Sequence, residues 1–402
     1  MAIRIQVCFI TKNLSVCFSY CCFYLSGGSF FLVTLCINFL FLNAVYKATK
    51  ARLRRAFVIN HISSWITCTR TDSTTAIKSI TSFNPQIRCA LLLFASYMHQ
   101  QSKTVIIISG PTASGKTALA IQLAQYFNTS IISADSRQCY KELNIGVARP
   151  SIEELHAAPH FFIASHSLNE NVTAKTFEEY AIQKTNDLFQ EKDTIIMAGG
   201  TGLYIHAFCY GLDEIPAIHQ SIRSSIIEEY KKNGLLFLQQ AIQKEDPLFW
   251  NIGAIQNPQR LMRALEVMRA TGKSITTFQQ KKSIDRPFNI LQICIDIPVD
   301  ILTQKIINRT AQMLSSGLVA EVKNLLPYRN LNALQTVGYK EIFEYIDGST
   351  TVEQATEKII THTKQYAKRQ RTWCRREKQN HFIQFGDTMF QQVLQIVERN
   401  DK

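Results

Sequence analysis

The chain has 402 residues, of which 46% are hydrophobic, enough to bury a sizeable core in two or three domains. The formal net charge is +13, but residues 1–97 hold ten Lys or Arg against one Asp, so the total alone does not indicate a nucleic-acid partner. Seven of the eleven cysteines precede Met98 and the rest are far apart. This spacing excludes a disulfide framework and a zinc site, and it suits a reducing, cytoplasmic location.

Residues 1–97 form an apolar and basic leader. No charged residue occurs from Asn13 to Tyr46, and the segment from Phe30 to Val45 just reaches the length and hydropathy of a membrane-spanning helix. Three interpretations stay open: a spurious extension, a membrane or targeting segment, and a small domain. We assign the leader no function and expect no membrane contact unless it is part of the protein.

The first well-patterned element is a strand at Val105–Ile108, followed by a glycine-bearing turn and a helix. Ala120, Leu123, Ala124 and Phe127 have the spacing of one buried helix face. The turn between them matches the phosphate-loop pattern G-x-x-x-x-G-K-[ST]. Its eight residues are Gly110, Pro111, Thr112, Ala113, Ser114, Gly115, Lys116 and Thr117.

This loop predicts a site for a diphosphate or nucleotide. Backbone N–H groups of the turn and the helix start point at an anion, and glycine lets the backbone come close. Lys116 adds a positive charge, and the Thr117 hydroxyl is a candidate ligand for Mg²⁺. The pattern does not specify which phosphate compound binds.

Two further strands are predicted to end at the same edge of the sheet. Ile131–Ile132 leads into Asp135, and Asp193–Ala198 leads into a glycine turn that contains Thr201. The position of Asp135 favours a catalytic role, although a helix N-cap is the alternative. Thr201 is either a site residue or a turn residue.

Residues 213–287 are helical by periodicity, carry four prolines and show no strand pattern, so they form a predicted helical insertion. Within it Leu261, Ala264, Leu265 and Met268 share one face. Gln259, Arg260 and Arg263 lie off that face, where they either reach a nucleic acid or form an ordinary solvated surface.

Residues 288–402 are predicted to complete the core. Leu291–Ile297 indicates a returning strand, and residues 299–326 indicate one long helix, bent at Gly317. The helix from about residue 351 to 378 carries a basic stripe that favours RNA. The stripe comprises Lys364, Lys368, Arg371 and Arg375, with Tyr366 and Trp373 nearby.

The fold class that follows is α/β. A parallel sheet core of the P-loop NTPase type spans residues 98–212, is interrupted by the helical insertion at 213–287, and is completed by the helical C-terminal part.

Several ordered motifs resemble those of the tRNA dimethylallyltransferases, the IPP transferase family, in its bacterial form. They are S-G-P-T-A-S-G-K-T, S-A-D-S-R-Q-C-Y, A-P-H-F, A-G-G-T-G-L-Y, N-P-Q-R-L-M-R-A-L-E-V, Q-T-V-G-Y-K-E and A-K-R-Q-R-T-W. The resemblance covers about Lys103 to Arg376. It implies transfer of a dimethylallyl group from dimethylallyl diphosphate to the exocyclic amine (N6) of the adenosine 3′-adjacent to the anticodon, in tRNAs that read codons starting with U.

The resemblance also implies roles for particular residues. Asp135 would be the catalytic base, Thr201 would contact the target nucleoside, and Arg223 would lie near the transferring group. The implied partners are tRNA and dimethylallyl diphosphate, the implied cofactor is Mg²⁺ on Thr117, and the protein is expected to be a monomer. The implied tRNA-binding residues are Asp135, Ser136, Arg137, Gln138, Gln259, Arg260, Leu261, Met262, Arg263, Gln335, Gly338, Tyr339 and Lys340.

Two departures from the family pattern stand out. Val147 replaces a threonine and Arg149 replaces a lysine, so a hydroxyl is lost and a cation is kept. The zinc-finger tail of eukaryotic members has no counterpart. Three alternative functions remain: a kinase, an isopentenyltransferase for free adenine nucleotides, and a non-enzymatic RNA-binding protein.

Overall fold

The computed structural model describes the backbone of residues 3–11 and 14–22, and residues 103–279 and 284–400 in full. Strand β1 (Ile3–Thr11) pairs antiparallel with β2 (Leu14–Cys22), and this hairpin belongs to a different compact unit from the residues described after 103. The apolar segment Phe30–Val45 lies outside the described residues. Among those described, no helix is long and apolar enough to cross a membrane.

A six-stranded parallel sheet is the centre of the second unit. Its strands are β3 (Thr104–Ser109), β4 (Ile131–Ser133), β5 (His160–Phe161), β6 (Thr194–Ala198), β7 (Asn289–Asp296) and β8 (His381–Gln384). Their spatial order is β5-β4-β6-β3-β7-β8, and every neighbouring pair is parallel. The predicted parallel α/β core is confirmed, although β5 and β8 were not predicted.

Successive side chains of the central strand enter two different cores. Val105 and Ile107 pack on one face of the sheet, and Ile106 and Ile108 pack on the other. Both faces are covered by helices, so the strand is a continuous apolar run without polar alternation. This arrangement leaves the carboxyl ends of the strands as the open edge where ligands bind in such sheets.

The helices of this unit, numbered in chain order, connect or flank the strands. They are α1 (Lys116–Tyr126), α2 (Ile152–Ala157), α3 (Ala174–Leu188), α4 (Gly202–Tyr210), α5 (Gln220–Glu245), α6 (Pro247–Ile252), α7 (Pro258–Thr271), α8 (Ile275–Phe278), α9 (Val299–Ser315), α10 (Leu318–Asn324), α11 (Tyr339–Ile346), α12 (Val352–Arg376) and α13 (Met389–Asn400). Short 3₁₀ turns at Leu326–Tyr328 and Asn332–Leu334 precede α11.

Helices α5 to α8 form the insertion. They share a hydrophobic core of their own, centred on Ile226, Leu238, Ile242, Leu261 and Leu265. Residues 213–279 and 284–287 contain no strand, as the sequence predicted. A separate core lets this layer present a surface without contributing to the sheet.

The predicted long helix over residues 299–326 is wrong in one respect: it is two helices. Helix α9 ends at Ser315, and Gly317 has φ +99° before α10 begins at Leu318. A left-handed glycine at this position stops a helix instead of bending it. Helix α10 can therefore take a new direction and pack against the loop at residues 145–146.

Candidate functional site

Three loops meet at the carboxyl edge of the sheet, because they follow the adjacent strands β4, β6 and β3. The phosphate loop (residues 110–117) follows β3. The loop that carries Asp135 follows β4, and the turn at residues 199–202 follows β6. Adjacent parallel strands bring these segments together although they are far apart in sequence.

The phosphate loop has the backbone that anion binding requires. Gly110, Ala113 and Gly115 have φ of +148°, +64° and +85°, so the chain turns sharply before α1 begins at Lys116. The Ser114 hydroxyl is buried without a hydrogen-bond partner among the described residues. A buried polar group without a partner is costly, and an incoming phosphate oxygen would satisfy it.

Lys116 is positioned for an anion and partly withdrawn from water. Its Nζ donates to the Pro111 carbonyl at 2.7 Å. Burial and, to a lesser extent, repulsion from Arg309 lower the pKa of Lys116 to about 8, whereas Asp135 opposes the shift. A bound diphosphate would favour the charged amine and reverse the shift.

Arg309 on α9 is the second cation at the loop. Its Nη1 donates to the Thr112 hydroxyl at 3.2 Å, and burial lowers its pKa while Asp135 opposes that change. Two neighbouring cations repel each other, and a multiply charged phosphate group between them would relieve that repulsion.

Asp135 is held by its own loop. Its Oδ1 accepts from the backbone N–H groups of Arg137 (2.8 Å) and Gln138 (3.3 Å). The Thr201 hydroxyl accepts from the Ser136 N–H at 3.1 Å and donates to the Ser136 hydroxyl at 3.4 Å. Two of the three predicted catalytic residues, Asp135 and Thr201, are thus in adjacent loops, and Thr201 fixes the turn that carries Asp135.

A cavity of about 880 Å³ joins the phosphate loop to Asp135, and Gly199 and Gly200 line it whereas Thr201 does not. Lys116, Thr117, Asp135 and Arg309 line it, together with Tyr366 of α12. Burial raises the pKa of Tyr366 to about 12, and its hydroxyl is hydrogen-bonded to Thr201. The cavity has room for a diphosphate and a nucleobase side by side.

Val147 and Arg149, which depart from the family pattern, lie in a loop that is hydrogen-bonded to α10. Glu321 of α10 accepts from the N–H groups of Ile145 (2.7 Å) and Gly146 (3.1 Å). The Arg149 guanidinium donates to the carbonyls of Tyr140, Lys141 and Leu143. The cation that replaces the family's lysine therefore stabilises its own loop, and Val147 lines the cavity.

The predicted tRNA-binding residues of α7 divide into two groups. Gln259 and Arg260 are exposed, and Arg263 is half-buried and pairs with Glu266 at 3.1 Å. Leu261 and Met262 are buried in the core of the insertion. The side chains of these two support the surface and do not form part of it.

The same division holds for the segment 335–340. Gln335 and Lys340 are exposed, whereas Tyr339 is fully buried and its hydroxyl donates to Glu321 at 2.6 Å. Gly338 lets the chain turn with φ +98°, and its N–H is capped by Glu341. A Cβ on Gly146 would lie 2.6 Å from the Tyr339 ring, so Tyr339 packs beneath the cavity loop.

Arg223 is not brought to the cavity. It lies on α5 in the insertion, where its Nε is 3.6 Å from Oε1 of the buried Glu266. It is absent from the cavity lining, in contrast to Arg309. Of these two arginines, Arg309 lines the cavity beside the phosphate loop and Arg223 does not.

Most of the predicted basic stripe on α12 is exposed to solvent. Lys364, Lys368 and Arg375 are exposed, whereas Arg371 is 3.6 Å from Asp296 and only 21% exposed. Trp373 packs on the turn at residues 199–202 and does not face solvent fully. Three exposed cations remain for phosphate contacts.

Arg309, Tyr366 and Gln370 were not predicted as site residues. A sequence signal exists for two of them, since Arg309 and Gln370 are polar residues on otherwise buried helix faces. Arg309 follows Leu302 and Ile306 at helical spacing. Gln370 stands between Ala367 and Cys374. A polar residue on such a face needs a partner.

The fold and the cavity together define an α/β protein of the phosphate-loop class, with a carboxylate facing the anion site. Comparison with known proteins makes this more specific. The profile of the IPP transferase family matches residues 138–377. The chain therefore belongs to the IPP transferase family.

Individual relatives agree with this assignment. The tRNA dimethylallyltransferase of Flavobacterium johnsoniae is 40% identical over 302 residues, which is 74% of this chain and 98% of the relative. That of Cytophaga hutchinsonii is 40% identical over 71% of this chain and 94% of the relative.

Solved structures agree as well. The tRNA isopentenylpyrophosphate transferase of Bacillus halodurans has a TM-score of 0.54 at 29% identity, covering 74% of this chain and 95% of its own. A eukaryotic dimethylallyltransferase described as acting on tRNA has a TM-score of 0.61 at 25% identity, over 74% of this chain and 79% of its own.

Proposed function

We propose that the protein transfers a dimethylallyl group from dimethylallyl diphosphate to N6 of the adenosine 3′-adjacent to the anticodon, in tRNAs that read codons starting with U. The observation that carries the proposal is that Lys116, Arg309 and Asp135 line one and the same cavity and act on each other electrostatically. Cations suit a departing diphosphate, and a carboxylate suits an amine that must lose a proton.

Most of the rate acceleration comes from stabilisation of the departing diphosphate. The adenine amine is a weak nucleophile because its lone pair is delocalised into the ring, so the donor must ionise readily. The allyl cation is delocalised, and the charge that develops on the leaving diphosphate meets the loop N–H groups, Lys116 and Arg309. Fixed charges that are already aimed at the leaving group stabilise that change strongly.

Asp135 acts at the acceptor end. It accepts a proton from N6 as the new C–N bond forms, while Thr201 and Ser136 hold its loop in place. Its Oδ1 already accepts two backbone hydrogen bonds, so Oδ2 is the atom that takes the proton.

Mg²⁺ fits the residues at the loop. Thr117 lines the cavity with a hydroxyl, and the described residues contain no group of three or more acidic, His or Cys side chains able to hold a metal alone. Mg²⁺ typically takes one or two protein ligands and completes its shell with substrate phosphate and water. When bound at Thr117 it would neutralise charge on the diphosphate.

The exposed cations of α12 and α7 are proposed to hold the anticodon stem-loop. Their phosphate contacts are independent of sequence and sensitive to salt. The target adenine must leave its stack at a cost of a few kcal/mol, which is lowest in a single-stranded loop. The monomeric state and the cytoplasmic location stay predictions.

Incubation of the full chain with undermodified tRNA and radiolabelled dimethylallyl diphosphate tests the proposal. The expected result is label on the adenosine beside the anticodon and on no other nucleotide. Label on free adenine nucleotides would favour the second class of transferase, and phosphate transfer from ATP to a small acceptor would favour a kinase. Binding of tRNA without any transfer would indicate an RNA-binding protein.

A further inference from the structure

One buried side chain contacts both the phosphate loop and the turn that carries Thr201. Gln370 of α12 is 7% exposed. Its Oε1 accepts from the Thr112 N–H at 2.8 Å, and its Nε2 donates to the Gly200 carbonyl at 2.9 Å. The two partners fix the orientation of the amide, since the flipped form would place donor against donor and acceptor against acceptor.

Both ends of this bridge are shaped to fit it. A Cβ on Gly200 would lie 2.1 Å from Nε2 of Gln370, so a side chain at that position would displace the amide. Thr112 makes two contacts: its backbone N–H donates to Gln370, and its hydroxyl accepts from Arg309. Gln370 therefore acts on the anion site through Thr112 and on the acceptor side through Gly200.

Neighbouring residues of α12 extend the same contact. Tyr366, one turn earlier, is hydrogen-bonded to Thr201. Trp373, nearly one turn later, packs so close to Gly202 that a Cβ there would lie 2.5 Å from its ring. Residues spaced by three or four share a helix face, so one face of α12 rests on both loops.

We propose that Gln370 is a positioning residue for the transfer reaction. It sets the separation and orientation of the phosphate loop (residues 110–117) and the turn at residues 199–202. The role rests on the proposed function, in which the phosphate loop holds the diphosphate and Thr201 of the turn fixes the loop whose Asp135 takes the proton from N6. Gln370 does not touch the reacting atoms. Its loss leaves both substrates bound but misaligned, and misalignment of about 1 Å costs about 10²-fold in rate.

Misalignment has a chemical signature. When the donor ionises without a correctly placed amine, water captures the dimethylallyl cation. The C–O bond to diphosphate breaks, a new C–O bond to water forms, and one proton is released, giving dimethylallyl alcohol. The ratio of alcohol to modified tRNA therefore measures the alignment of the two loops.

Three variants of the full chain test the role. Gln370→Met keeps the length of the side chain and removes both hydrogen bonds. Gln370→Glu keeps the acceptor for the Thr112 N–H and places an oxygen against the Gly200 carbonyl. Gln365→Met makes the same change on the exposed side of α12 and is the matched control.

The expected result is a kcat for tRNA modification lowered about 10²-fold in both Gln370 variants. The alcohol-to-product ratio should rise at least about fivefold, and the dissociation constants for tRNA and inorganic diphosphate should stay within about threefold of wild type. Gln365→Met should match wild type in all of these. Thermal unfolding checks that each variant is folded. If Gln370→Met does not fold, Gln370→Glu alone tests the positioning role.

Other outcomes separate the two proposals. An unchanged ratio, with transfer and alcohol formation falling together, would overturn the positioning role, and so would a kcat within twofold of wild type. Absence of transfer by the wild-type chain would instead refute the proposed function.

Discussion

Replacement of Asp135 by Asn separates its two tasks, because Oδ1 supports the loop and the charge supports catalysis. Asn keeps an Oδ1 acceptor for the N–H groups of Arg137 and Gln138, at 2.8 and 3.3 Å in the wild type, so the loop should hold its shape. The carboxylate that takes the proton from N6 is lost. General-base catalysis contributes about 10²- to 10⁴-fold, and we expect kcat to fall by that factor.

Asp135→Ala is the companion variant, since it removes the acceptor as well as the base. The two backbone N–H groups would then turn to water, at about 1 kcal/mol each. We expect the same loss of turnover with an additional fall in stability of about 1–2 kcal/mol, which Asn avoids.

The assay is single-turnover transfer of radiolabelled dimethylallyl to undermodified tRNA, with filter binding for tRNA affinity and urea denaturation for stability. The dissociation constant for tRNA should stay within about threefold of wild type in both variants, because the phosphate contacts come from other helices. Transfer by Asp135→Asn within threefold of wild type would refute Asp135 as the base.

Three further expectations concern the loop and the turn. Since burial lowers the pKa of Lys116 to about 8, its charge is present below that pH and lost above it. The affinity for inorganic diphosphate should therefore fall as the pH rises through 8. Isothermal titration calorimetry measures this fall, and Lys116→Met, the control, should lack it. Arg309→Ala should raise the KM for the donor and lower kcat by about 10²-fold or more at unchanged tRNA affinity, and donor kinetics like those of wild type would exclude Arg309 from the diphosphate site. Gly199→Ala would place a Cβ 2.2 Å from the backbone oxygen of Ala134, so we expect a loss of about 1–3 kcal/mol or more. At Gly348, an added Cβ would have no other atom within 4 Å, and only the φ of +75° is unfavourable, so Gly348→Ala should cost about 1 kcal/mol. Equal losses of unfolding free energy for the two variants in urea denaturation would contradict the packing explanation.

The sequence by itself determined the parts whose signal is local. A strand, eight loop residues and a helix start are contiguous in the chain, so their pattern predicted the phosphate loop at Gly110–Thr117. Buried apolar runs predicted β3, β4, β6 and β7 for the same reason. Their parallel order then implied that Asp135 and Thr201 meet at one edge, and the structure places them there.

Only the tertiary structure decided which distant side chains complete the site. Arg309 reaches Thr112 across 197 residues, and Gln370 reaches Thr112 across 258 residues and Gly200 across 170. The packing of α9 and α12 on the sheet creates these contacts, and helical periodicity states which face is buried but not what it is buried against. Arg223 illustrates the same limit, because the family resemblance placed it near the transferring group and the fold pairs it with Glu266.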